Sequence, residues 1–310
     1  MGNQAKRTPP QIWAVASGKG GVGKSFVAAN LAMALASHEK KAVLVDLDLG
    51  SANAHTCLGI NHPSTTLSNL LHQKVNINAL VERGNNPFIG LISGASDDLN
   101  MANLKHYQKL KIIRNLMHLD ADYVVLDLGA GTGFNTLDFF LAADRGLLVV
   151  MPEPTSVENS YRFIRSMLTR QLKSLPKAQQ RLAYHVYQEQ QNLGATQSFA
   201  DFVSTMMEKH PEQGNLIQNN LKQLHINLMI NQVFDPSDIK LGDGMKVITK
   251  KFFGLDLNLL GHLYHDTQVI QSLKQKHAYY QAFPQCRNAI CLHRLAEHII
   301  FKHEQNLRLS

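Results

Sequence analysis

The chain has 310 residues, 44% of them hydrophobic and 18% charged, with a formal net charge of +7. That apolar content suffices for one large α/β domain spanning 1–310, and no run approaches the roughly 18 uninterrupted apolar residues that a membrane-spanning helix needs. The three cysteines, Cys57, Cys286 and Cys291, are odd in number and lack C-x-x-C spacing, so the sequence favours free thiols in a reducing compartment over disulfides or a cysteine zinc site.

The first element is an apolar strand over 12–16. It runs into Gly18-Lys19-Gly20-Gly21-Val22-Gly23-Lys24-Ser25 and then into a helix-like segment beginning at Phe26. A strand before and a helix after are what the G-x-x-x-x-G-K-[ST] pattern needs to act as a phosphate-binding loop. Glycines let backbone N–H groups approach phosphates, and the helix N-terminus favours an anion. Lys24 is expected at the β- and γ-phosphates and Ser25 at Mg²⁺. The nucleotide contacts expected here are Gly18, Gly20, Gly21, Val22, Gly23, Lys24, Ser25 and Phe26.

A second strand over 42–46 ends with Asp46 and Asp48 close together, and a third is expected near 88–93. Asp122-Tyr123-Val124-Val125-Leu126-Asp127 reads as an apolar strand closed by a carboxylate that can act on the metal shell, and Gly129-Ala130-Gly131 follows. Further strands are expected near 146–151, 225–230 and 257–263, with Asn231 at the end of the sixth. Strands alternating with helices predict a doubly wound, mainly parallel sheet of the P-loop NTPase type with helices on both faces. The nucleotide belongs at the carboxyl ends of its strands. The stretch 172–223 is rich in Gln, His and Lys. Phe199, Phe202, Val203, Met206 and Met207 recur there at helical spacing, which predicts a helical insertion serving either as surface elaboration or as a partner surface.

Lys19, directly after the first loop glycine, resembles the deviant phosphate loop of the MinD/ParA family of ATPases. The downstream segments resemble that family in the same order. Asp46-Leu47-Asp48-Leu49-Gly50-Ser51-Ala52-Asn53, Asp127-Leu128-Gly129-Ala130-Gly131 and Pro152-Glu153-Pro154-Thr155-Ser156-Val157 are similar to its flagellar-number branch, the FlhG/FleN type. The resemblance implies ATP and Mg²⁺ as cofactors and an ATP-dependent homodimer in which Lys19 reaches the partner's phosphates. It implies that Asp48 positions the attacking water, that Asp46 supports the metal and its loop, and that Gly131 offers a backbone N–H to the γ-phosphate. Ser25, Asp46 and Asp127 then form the metal set, and Lys19, Lys24 and Asp48 the catalytic set. In relatives an Asn at position 231 bonds adenine; an unrelated strand-end Asn is the other reading. ATP rather than GTP is implied by resemblance, and no N-K-x-D guanine motif is present.

The branch also implies flagellar assembly or regulatory proteins as partners. Asn3-Gln4-Ala5 is similar to an N-terminal segment that stimulates a signal-recognition-type GTPase, although Asp and Leu-Arg of that segment are altered here. The first ten residues otherwise read as a flexible N-terminus, with no secretory leader expected. Residues 286–310 read as a C-terminal helix and tail. The stripe Leu292, Leu295, Ala296 and Ile299 is open to two readings, a core-packing helix or a peripheral contact with the inner face of the cell membrane. The expected location is cytoplasmic. Iron–sulfur relatives need cysteines that 127–134 lacks. The fifteen histidines show no metal-ligand pattern. Net positive charge leaves DNA as an alternative partner, as in partition ATPases, and a protein-binding switch with little turnover as a third.

Overall fold

Apolar β-branched runs make the strands, and nearly all of them are buried on both faces. The computed structural model describes residues 8–49, 53–60, 65–73, 75–84, 86–94, 104–192 and 198–309. The strands are β1 (Gln11–Ala16), β2 (Ala42–Leu47), β3 (Glu82–Arg83), β4 (Ile89–Ile92), β5 (Tyr123–Leu128), β6 (Arg145–Val150), β7 (Ile226–Val233) and β8 (Leu257–Tyr264). They form one eight-stranded sheet in the order β3-β4-β2-β5-β1-β6-β7-β8. Every pairing is parallel except β3 with β4 at the edge. The sequence reading omitted only β3, whose two residues carry no readable alternation. β2 and β5 are buried throughout, as parallel strands covered on both faces should be.

Thirteen helices are described: α1 (Lys24–Ser37), α2 (Ala54–Leu58), α3 (Leu67–His72), α4 (His106–Leu116), α5 (Phe134–Ala142), α6 (Pro154–Leu172), α7 (Lys177–Asn192), α8 (Phe199–Lys209), α9 (Pro211–Lys222), α10 (Lys240–Phe253), α11 (Gln268–Gln275), α12 (Tyr279–Ala282) and α13 (Arg287–Leu309). One face of the sheet carries α1 and α13, through Trp13, Val15, Val27, Leu31, Leu44 and Leu292. The other carries α4 to α10, through Ile12, Val43, Ile112, Phe139, Phe163 and Met245. α1 is apolar almost all round because it lies between the sheet and α13.

Two stripes left with alternative readings have a clear place. In α8, Phe199, Phe202, Val203 and Met206 are buried, with Phe199 and Phe202 packed on Tyr187 of α7 at ring-centroid distances of 5.9 and 5.3 Å. That stripe faces the core and offers no docking face. In α13, Leu292, Leu295, Ala296 and Ile299 are buried in the cluster that contains α1. Leu292, Leu295 and Ile299 each contribute about 1.5–3 kcal/mol by leaving water, so this face is committed to the core, the first of the two readings left open for it. α13 runs to Leu309, so residues 301–309 are helix rather than tail. Among the described residues, no helix is long and apolar enough to cross a membrane. The N-terminal segment with Gln4, and Gly50, Ser51 and Ala52 of the Asp46–Asn53 run, lie outside the described residues.

Candidate nucleotide site

β1 lies between β5 and β6 and delivers the glycine-rich loop to the carboxyl edge of the sheet. The loop is braced from two sides. Gly131 N–H donates to the Ser17 carbonyl at 2.9 Å, and Asn231 Nδ2 donates to the Val22 carbonyl at 2.7 Å. Two glycines are fixed by these close approaches. A Cβ at Gly18 would come within 2.2 Å of the Asn159 carbonyl oxygen in α6. Gly23 has φ +84°, and a Cβ there would meet Asn231 Nδ2 at 2.3 Å. α1 starts at Lys24, so its free N-terminal N–H groups open towards the loop.

Beneath the loop, strand register gathers the charges. β2 and β5 set Asp46 directly opposite Asp127. Lys24 Nζ donates to Asp127 Oδ1 at 3.1 Å and stands 4.0 Å from Asp48 Oδ2. Lys24 is 7% exposed and Asp127 1%. Burial raises the Asp127 pKa, opposed by Lys24 and by a hydrogen bond with Ser25. Burial, and then the neighbouring Asp127, push Asp46 up to about 7, although backbone N–H groups of Ala54 and Asp48 oppose this at 2.9 and 3.1 Å. Lys24 thus faces two carboxylates, and Asp46 lies behind them against Asp127. The donor set of a Ser25 hydroxyl and buried Asp46 and Asp127 carboxylates is all oxygen, which suits Mg²⁺. Asp46 also spends lone pairs on Ala54 and Asp48, so it shapes the turn that carries Asp48.

Lys19 stays outside this cluster. Its side chain is 40% exposed, and its ammonium donates to Glu153 Oε2 at 3.0 Å and Thr155 Oγ1 at 3.1 Å, both after β6. Asp48 reaches the other side of the site, where a Cβ at Gly129 would lie 3.5 Å from its Oδ1. Asp48, Gly129, Gly133, Phe134 and Thr136 help line a cleft of about 340 Å³.

The structure therefore brings Gly18 to Ser25, Asp46, Asp48, Asp127, Gly131 and Asn231 together around one loop. Phe26 differs from the rest. Its side chain is buried edge-on against Tyr279, with ring centroids 5.1 Å apart, so a nucleotide contact at Phe26 would be made by its backbone. Val22 is likewise buried, so it too offers only backbone. Sequence reasoning missed Glu153 and Thr155 as partners of Lys19, although both stand in the Pro152–Val157 run it singled out. Cys57, a free thiol as the sequence reading has it, lies behind the site. Burial first, then Asp127 and Asp46, push that thiol up to about 12, so it stays protonated and inert.

Comparison with known proteins agrees with this geometry. The ParA family model, described as NUBPL iron-transfer P-loop NTPase, matches residues 9–175, a stretch that contains Cys57 as its one cysteine. The antiactivator FleN of Pseudomonas aeruginosa is 26% identical over 293 residues, covering 94% of this chain and 86% of FleN. The flagellum site-determining protein YlxH of Helicobacter pylori is 33% identical over 156 residues, covering 49% of this chain and 52% of YlxH. Among solved structures, MinD of Pyrococcus horikoshii complexed with Mg-ADP has a TM-score of 0.64 at 18% identity, over 94% of this chain and 96% of that one. At that identity the likeness shows the fold alone. A loop set between β1 and α1, its facing carboxylates and a family match over more than half of the chain lead to one assignment: this chain belongs to the ParA family of P-loop NTPases.

Proposed function

We propose that the chain is an ATP-dependent dimerising switch that hydrolyses ATP to ADP and regulates flagellar number and placement. The observation that carries this is the division between the two loop lysines. Lys24 is buried on Asp127 inside its own site, whereas Lys19 is part-exposed and held outside that site by Glu153 and Thr155, which leaves it free to serve a facing copy. The names of FleN, an antiactivator, and YlxH, a flagellum site-determining protein, support the flagellar reading and a protein partner.

ATP binding draws the Lys24 ammonium from Asp127 to the β- and γ-phosphates, while loop N–H groups and the start of α1 hold the remaining oxygens. When bound, Mg²⁺ would offset phosphate charge from a site made by Ser25, Asp127 and Asp46. Asp48, on the turn fixed by Asp46, orients the water that attacks the γ-phosphorus. The Gly131 N–H leaves the Ser17 carbonyl to meet the γ-phosphate, so the segment before α5 reports which nucleotide is bound. Lys19 of the partner subunit adds a cation where charge develops in the transition state. Asn231 meets adenine through whatever its bond to Val22 leaves free. The protein acts in the cytoplasm on flagellar assembly or regulatory proteins.

Phosphate release measured against protein concentration tests this. Specific activity that rises with concentration until the dimer saturates is expected. Constant specific activity down to nanomolar protein would leave no role for a partner's lysine.

A further inference from the structure

At the far end of α1 from the phosphate loop, His38 meets two residues of α13. His38, His293 and Glu297 each offer a ligand atom, and these atoms all lie within 4.8 Å of one another. The two imidazoles stack with centroids 4.3 Å apart and planes inclined by 29°. His38 Nε2 is buried with no hydrogen-bond partner among the described residues. His293 and Glu297 stand one helical turn apart, with His293 Nε2 3.8 Å from Glu297 Oε1.

A chain of hydrogen bonds sets the tautomer of His293. Ser37 Oγ gives its only proton to the Ala34 carbonyl at 2.7 Å. Ser37 Oγ therefore accepts from Tyr280, whose hydroxyl lies 3.0 Å away. Tyr280 has then spent its proton, so its oxygen accepts from His293 Nδ1 at 2.7 Å. Neutral His293 is left with its Nε2 lone pair towards the Glu297 carboxylate. A lone pair facing a carboxylate is unfavourable unless a proton or a metal cation sits between them, and the unpartnered Nε2 of His38 beside this pair supplies the further ligand atom that a metal needs. The Tyr280 contact is also the kind of outer hydrogen bond that orients a metal-binding histidine.

We propose that His38, His293 and Glu297 form a binding site for a divalent transition-metal ion of the Zn²⁺ class, separate from the nucleotide site. Two imidazoles and one carboxylate are a donor set that Zn²⁺ takes, with a fourth position open to water. Bonds of about 2.0–2.1 Å place tetrahedral ligand atoms about 3.3 Å apart, so the exposed Glu297 closes by side-chain rotation while Tyr280 keeps hold of His293. The ion would pin α13 to the end of α1. α1 spans about 21 Å at 1.5 Å per residue over its 14 residues, so the two sites do not share ligands.

The test uses the full chain with excess Mg-ADP, so that the nucleotide site is filled, and Co²⁺ as an optical probe. Visible absorption that saturates at about one Co²⁺ per chain and is removed by Zn²⁺ is expected, with Zn²⁺ raising the melting temperature. Glu297→Gln and His293→Gln should each weaken Co²⁺ binding about tenfold or more. His185→Gln, which alters an exposed His–Glu pair in α7, should leave it unchanged. Glu297 is exposed, so its variant folds even where a histidine variant does not, and its melting temperature without metal should match the wild type. Absence of a saturable spectrum, or equal Co²⁺ affinity in Glu297→Gln and the wild type, would overturn the proposal.

Discussion

Lys19 and Glu153, brought together from separate strand–helix crossovers, form an ion pair at 3.0 Å that Thr155 shares through a 3.1 Å hydrogen bond. Both side chains are close to half exposed, so the pair adds about 0–1 kcal/mol to stability and works as a parking position rather than a clamp. Lys19 can therefore transfer to a phosphate at little cost. Lys19→Ala should leave the melting temperature and monomeric nucleotide binding near wild type while removing ATP-dependent dimerisation in sedimentation velocity. Normal dimerisation of that variant would take away the role given to Lys19.

Lys24 is the opposite case, with both it and Asp127 buried. Removing one member of a buried pair costs about 3–5 kcal/mol, because the other charge stays without compensation. Lys24→Ala should lose nucleotide binding in calorimetry and unfold at lower denaturant. Lys24→Ala with Asp127→Ala should recover much of the stability without recovering binding. A single variant as stable as the wild type would contradict the pairing.

Asp48 is half-buried and lies 4.0 Å from Lys24, so it is not needed to hold the loop. Asp48→Ala should bind ATP normally and slow phosphate release by about a hundredfold or more. Unchanged turnover would point instead to a switch that does not use this carboxylate.

Asn231 braces the loop through the Val22 carbonyl. Asn231→Ala should therefore weaken tripolyphosphate as well as ADP, each by about tenfold, because a net hydrogen bond of about 1 kcal/mol or more is lost. If only ADP weakened, Asn231 would serve adenine alone.

Asp138 in α5 links the helices on the second face. Its Oδ1 and Oδ2 accept from Arg170 Nε at 2.6 Å and Nη2 at 2.9 Å, and Lys109 also pairs with it. Burial would raise its pKa, but the hydrogen bonds from Arg170 and Lys109 outweigh this and hold it below the ordinary carboxylate value. A depressed folded pKa gives stability that is full above the unfolded value of about 3.9 and is lost as pH falls through the folded one. Solvent screening of the part-buried carboxyl limits the contribution to about 1–2 kcal/mol. Asp138→Asn should be less stable than the wild type at neutral pH in urea titrations, and the gap should begin to narrow below about pH 4 and close once pH is below the depressed folded pKa. A gap that persisted in acid would assign the loss to packing.

Where local pattern and tertiary demand agreed, the sequence was readable. The strand before Gly18, the carboxylates closing β2 and β5, and the continuous apolar runs of buried parallel strands all announce themselves. The residues that needed the third dimension did not. Glu153 is one of many exposed acids until β6 sets it beside Lys19, and Phe26 follows the loop in sequence but turns into the core. β3 is too short to show a period. The stripe in α13 fits a core helix and a surface helix equally, and only its position against α1 separates them. His38 and His293 lie far apart in the chain, so no ligand spacing could reveal them.

The most direct test of the shared site is to mix Lys19→Ala protein with Asp48→Ala protein and measure phosphate release. Each variant alone should be nearly inactive. In a mixed dimer, the site on the Lys19→Ala subunit keeps its own Asp48 and receives Lys19 from the other subunit, so turnover should return to a substantial fraction of wild type. Turnover no greater than the sum of the two variants would contradict a lysine acting across the dimer.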